Sequence, residues 1–101
     1  AFDEELFGPV ATLIRARNES HALELANQTD YGLGASVFTK NQERGDQIAV
    51  KIPDAGNCFV NAVVHSDSRL PFGGIKNSGF GRELSGFGIH EFVNIKTVYR
   101  A

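Results

Sequence analysis

The 101-residue chain has no tryptophan, no methionine and a single cysteine, Cys58. One cysteine excludes an internal disulfide. With no charged-then-apolar leader at Ala1, the expected compartment is a reducing cytosol. No apolar run approaches the roughly 20 residues that a bilayer-spanning helix needs, so no membrane role is expected. An excess of either charge is also missing: ten Lys and Arg stand against twelve Asp and Glu, a net charge of −2. Without a basic stripe, nucleic acid is not an expected partner. The three histidines, His21, His65 and His90, are scattered relative to Cys58. None of them forms a pair at ligand spacing, so no metal site is expected.

What remains is ordinary globular composition, 42% apolar and 22% charged, at a length suited to one domain. Eight phenylalanines supply the bulk that Trp and Met do not. Rings this stiff are expected in defined packed places. The opening Ala1-Phe2-Asp3-Glu4-Glu5-Leu6-Phe7 mixes acids with large apolar residues from the first position. It reads as the interior of a longer chain.

Residues 10–17, partly β-branched and following Gly8-Pro9, predict a strand. Asn18 or Ser20 caps a helix carrying Leu23, Leu25 and Ala26, closed by Asp30-Tyr31-Gly32 with Gly32 in the left-handed conformation. A second strand is expected over 33–39 and a second helix over 42–51, stopped by Pro53-Asp54-Ala55-Gly56. A third strand, 58–64, is apolar enough to be buried on both faces. The alternation strand–helix–strand–helix–strand predicts an α/β layer with a mostly parallel sheet. Residues 65–88 then carry six of the eleven glycines and predict a long, tightly turned loop. A short helix over 85–93 and a final strand over 96–100 complete the chain.

The glycine-rich stretch is not a phosphate loop, because it has no Gly-Lys-Ser/Thr. Gly32-Leu33-Gly34 leads from a helix into a strand, the reverse of a dinucleotide fingerprint. Cys58, in an apolar strand with no neighbouring cation, reads as a small buried hydrophobe and not as a nucleophile. His21 and His90 read as exposed helix residues.

Three segments carry a resemblance. Glu4-Glu5-Leu6-Phe7-Gly8-Pro9-Val10, then Ala26-Asn27-x-Thr29-x-Tyr31-Gly32-Leu33, then Pro71-Phe72-Gly73-Gly74-Ile75-Lys76-Asn77-Ser78-Gly79-Phe80-Gly81-Arg82-Glu83 follow one another as in aldehyde dehydrogenases. In order and spacing the chain resembles the C-terminal segment of that family. Phe2 to Phe7 and Gly81 to Ser85 look most like its bacterial succinate-semialdehyde dehydrogenases.

The resemblance implies roles. Glu5 matches the glutamate that accepts the ribose hydroxyls of bound NAD or NADP. Two carboxylate oxygens suit a vicinal diol. Phe7 matches an aromatic residue beside the nicotinamide. Phe72 matches an aromatic lining of the aldehyde tunnel. The loop His65 to Leu70 matches the one that shapes the substrate pocket, with Ser66, and less directly Arg69, placed to hold a substrate carboxylate. Residues 1–95 would belong to the catalytic domain and 96–101 to a terminal strand that pairs subunits into a dimer or tetramer. The resemblance also implies what lies elsewhere: the catalytic cysteine, the general-base glutamate, the oxyanion asparagine and the nucleotide-binding domain all precede this stretch. The 101 residues alone are therefore expected to be inactive. Two other classes stay open: a non-catalytic assembly module working with a separate N-terminal chain, and a stand-alone small α/β domain binding a ligand at its glycine-rich loop.

Overall fold

The computed structural model describes residues 1–52 and 54–101. Helix α1 spans Glu19–Asn27. Asn18 precedes it in extended backbone, and its side-chain oxygen accepts the His21 amide at 2.9 Å. That bond satisfies one of the donors a helix start leaves open. Helix α2, Gln42–Lys51, is capped the same way by Asn41, which accepts the Arg44 amide at 3.0 Å. Glu43 in its first turn and Lys51 in its last match the helix dipole. Arg44 of α2 pairs with Glu19 of α1.

Strand β2, Gly34–Val37, and strand β3, Asn57–Val60, run parallel with Gly34 opposite Asn57 and Val37 opposite Val60. Helix α2 is the crossover between them, which is the connection parallel strands require. Gly45 makes the close contact possible: a Cβ there would lie 2.7 Å from a Val60 methyl. Ile48 and Ile52 are buried beside it, at 8% and 9% exposure. Strand β1, Tyr31–Gly32, pairs antiparallel with β4, Ile75–Lys76, which lies inside the glycine-rich loop. A bridge between Phe72 and Glu83 closes the loop further along. Helix α3 is Ser85–His90.

Several expectations change. Residues 10–17 are not assigned as a strand, and all but Ala16 are exposed. A β-prone segment becomes a strand only with a partner, and the described residues supply none. Gly32 is not left-handed. It sits in β1 opposite Ile75, where a Cβ would meet the Asp54 carbonyl oxygen at 2.6 Å and the Ile75 side chain at 2.7 Å. Strand β3 ends at Val60 and is half-buried instead of buried on both faces. Residues 91–101 are all exposed and carry no strand, so 96–100 pair with nothing among the described residues. The sheet is two separate pairs, one parallel and one antiparallel. Of the predicted stop to α2, Pro53 lies outside the described residues. The helix ends at Lys51, with the Ile52 amide donating to Ile48 at 2.9 Å. Six of the eight phenylalanines are exposed, Phe80 at 99%. They are not packed within these residues.

Candidate functional site

Lys76 builds the first wall of the site. Its ammonium donates to the carbonyls of Asn27 (3.1 Å) and Thr29 (2.9 Å) and pairs with Asp54 at 2.9 Å. Helix α1 has no basic residue in its last turn. Lys76 brings a cation to that negative end from 49 residues away. The next residues continue the attachment: the Asn77 amide donates to the Asp30 carbonyl at 3.0 Å, and the Gly32 amide donates to Ser78 Oγ at 3.0 Å. The glycine-rich loop is thereby fixed to the α1–β1 turn. No short-range pattern in the sequence places Lys76 here. The available signal was a helix end lacking its own cation.

Against this wall opens a cleft of about 530 Å³, bordered by Phe2, Glu5, Gly32, Asp54, Asn77 and Ser78. The Glu5 side chain is exposed and makes no hydrogen bond among the described residues. Both its oxygens are free for a ligand's hydroxyls. Phe7 shares with Glu5 a smaller pocket of about 310 Å³. Its ring is 92% exposed and its backbone lies at φ +46°, a left-handed conformation uncommon for a bulky residue.

Phe72 stands elsewhere. It borders a second cavity of about 480 Å³ beside α2 and β3, with Cys58, Phe59, His65 and Asp67. The rings of Phe59 and His65 lie 5.0 Å apart, tilted. Ser66 is exposed between two lining residues. Arg69 is not a free cation: its Nε donates to Asp67 Oδ1 at 2.9 Å and its Nη2 to Oδ2 at 2.6 Å. The same guanidinium, aided by the Arg69 amide, pulls the Asp67 carboxyl down to about 2. Burial pushes the Cys58 thiol above its ordinary value, more than the Phe59 amide lowers it. That is the opposite of what a thiolate nucleophile needs. The expected residues thus fall in two groups, Glu5 with Phe7 and Phe72 with the neighbours of Ser66, at different cavities.

The loop glycines divide by mechanism. Gly79 (φ +128°) and Gly81 (φ +74°) use left-handed backbone. Gly73 and Gly74 instead permit close approach, since a Cβ would meet Gly81 O at 2.8 Å and Ser78 Cβ at 2.6 Å respectively. Arg82 holds the carbonyls of Gly74 (3.1 Å) and Gly81 (2.6 Å), not an acid. His90 is exposed as expected. His21 is half-buried and accepts the Arg17 amide at 3.1 Å.

The profile of the aldehyde dehydrogenase family matches residues 1–98. A succinate semialdehyde dehydrogenase [NAD(P)+] of Escherichia coli is 51% identical over 100 residues, 99% of this chain and 21% of that protein. A succinate-semialdehyde dehydrogenase [NADP(+)] of Deinococcus radiodurans is 49% identical over 97% of this chain and 20% of its own length. Among solved structures, succinic semialdehyde dehydrogenase of Streptococcus pyogenes in complex with NADP+ superposes with a TM-score of 0.91 at 44% identity, covering 98% of this chain and 22% of that one. Betaine aldehyde dehydrogenase of Staphylococcus aureus in complex with NAD+ gives 0.83 at 36% identity, covering 89% and 18%. The chain spans about a fifth of the length of the curated relatives it matches. No helix among the described residues is long and apolar enough to cross a membrane.

Proposed function

This chain belongs to the aldehyde dehydrogenase family, and we propose that it forms the C-terminal part of an enzyme that oxidises an aldehyde, succinate semialdehyde in the first instance, to the acid with NAD or NADP. The observation that carries the reading is the 51% identity to the E. coli enzyme across 99% of this chain. The geometry supports it. Glu5 offers an unpaired carboxylate at a cleft whose far wall the Lys76 contacts fix. That suits the two hydroxyls of a ribose. Phe7 offers a bare ring beside it. When bound, NAD(P)+ supplies the hydride acceptor. This chain's residues bind and orient. Glu5 and Phe7 hold the nucleotide, Phe72 lines the aldehyde path, and Ser66 with Arg69 meets a substrate carboxylate. The covalent step falls to a cysteine outside these residues, since Cys58 is poorly ionised. Residues 1–95 belong with the catalytic domain. Residues 96–101 supply an edge for pairing subunits into a dimer or tetramer, and the enzyme works in the cytoplasm.

The test is a chimera in which this chain replaces the matching segment of the E. coli relative. It is expected to oxidise succinate semialdehyde with NAD(P)+. In the chimera, Glu5→Gln should raise KM for the nucleotide about tenfold, the worth of a lost charge-assisted hydrogen bond, with little change in KM for the aldehyde. A folded chimera without turnover, or an unchanged nucleotide KM in E5Q, overturns the reading.

A further inference from the structure

We infer that Asp67 is a positioning residue, holding the Arg69 guanidinium so that its outer edge meets the carboxylate of an anionic aldehyde. This rests on the reading that the 65–70 loop borders the aldehyde pocket.

A guanidinium carries five N–H groups arranged as two forks, one through Nε and Nη2 and one through Nη1 and Nη2. Asp67 occupies the first, with both of its oxygens, at 2.9 and 2.6 Å. The second fork makes no hydrogen bond among the described residues, and the Arg69 side chain is 85% exposed. It is the end-on fork, which a second carboxylate can meet bidentately.

Asp67 is itself fixed by local backbone. Its Oδ1 accepts the Arg69 amide at 2.9 Å, and its carbonyl accepts the Leu70 amide at 2.9 Å. Its own side chain is only 22% exposed. Acid and cation are two residues apart, so the pair forms without help from any distant segment. A long arginine that would otherwise lose rotamer freedom on gripping a ligand has already lost it. Asp67 takes the Nε and Nη2 side and leaves the end-on fork open. Asp67, which anchors the pair, borders this cavity together with His65 and Phe72.

The experiment compares KM for succinate semialdehyde with KM for butanal, a neutral aldehyde of equal chain length, in the full-length enzyme that carries this segment. Arg69→Ala should raise KM for succinate semialdehyde about tenfold, the worth of a bidentate charged contact, and leave butanal unchanged. Asp67→Ala should raise the same KM several-fold, with kcat and butanal kinetics unaffected. The double variant should be no worse than R69A alone. Butanal kinetics report on folding. Should D67A lose them, Asp67→Asn keeps an oxygen for the backbone turn and replaces it in the comparison. If R69A does not move the succinate semialdehyde KM, the pocket reading and this inference both fail. If R69A moves it and the Asp67 variant leaves it unchanged or lowers it, only this inference fails, and in the second case Asp67 competes with substrate.

Discussion

Separating these residues from the rest of an enzyme should leave them without a cooperative fold. A folded monomer of 11.0 kDa exposes about 5,600 Å², whereas this chain exposes 8224 Å². The excess, about 2,600 Å² on this side alone and so about 5,200 Å² counted over both partners, is what a permanent partner would cover, since that is the upper range of obligate interfaces. The dimensions agree: the radius of gyration is 17.1 Å, against about 13 Å for a compact domain of this length. Within the described residues only Ile48 and Ile52 are buried apolar side chains, contributing about 3–6 kcal/mol together. Ordering the backbone costs about 1–2 kcal/mol per residue. The purified chain should therefore show no sigmoidal urea transition by circular dichroism, bind a hydrophobic dye, scatter as an expanded particle, and fail to oxidise succinate semialdehyde with NAD+ or NADP+. A single cooperative transition with a radius of gyration near the compact value would refute the area argument. Turnover by the chain alone would refute the assignment of the chemistry to residues elsewhere.

Two more expectations concern the assembled enzyme. Gly56→Ala would place a Cβ on the Gly73 carbonyl, 2.9 Å from its carbon. It would also disturb the Asn57 side chain's 3.0 Å bond to that carbonyl. The expected cost is about 2–4 kcal/mol from overpacking and one lost hydrogen bond. Gly86→Ala in α3 meets nothing within 4 Å and should gain up to about 1 kcal/mol of helix propensity; thermal unfolding distinguishes the two, and equal shifts would refute the contact reading. Because burial raises the Cys58 pKa, its thiolate stays scarce until the pH passes the ordinary thiol range. Iodoacetamide should therefore modify Cys58 more slowly than a free thiol at pH 8, and mass spectrometry showing equal rates would contradict this.

What the sequence made legible was local. The Asn18 cap lies where a side-chain oxygen three residues ahead of an amide can reach it, and α2 runs over the predicted 42–51, with Asn41, which was not read as a cap, holding its start in the same way. The parallel β2–α2–β3 unit follows from the same short-range order. The strands predicted at 10–17 and 96–100 failed as elements of this chain for one reason. Strand propensity is a demand for a partner, and sequence alone does not say whether the partner lies among the same residues. The phenylalanines misled in the same way. A stiff ring implies a packed place, but Phe80 at 99% exposure finds none among the described residues.

The candidate site was legible in its residues and not in its arrangement. Glu5 and Phe7 are neighbours in sequence and share a pocket, so a linear motif captured them together. Arg69 was read as a hold on a substrate carboxylate without its partner Asp67, because the composition of a loop does not reveal which acid turns back on which base. A spacing of two residues would ordinarily send side chains apart in a strand. Here the Leu70 amide closes a turn onto the Asp67 carbonyl and brings them together. Lys76 carries the larger lesson. No short-range rule links it to Asn27, Thr29 or Asp54, yet those three contacts fix the glycine-rich loop against the α1–β1 turn. The glycines of the loop supply conformations that bring the backbone close, and Lys76 selects one position for it. A cleft facing Glu5 therefore depends on a charge placed at the end of a helix that has none of its own. This is why a loop rich in the most permissive residue can still hold a defined wall.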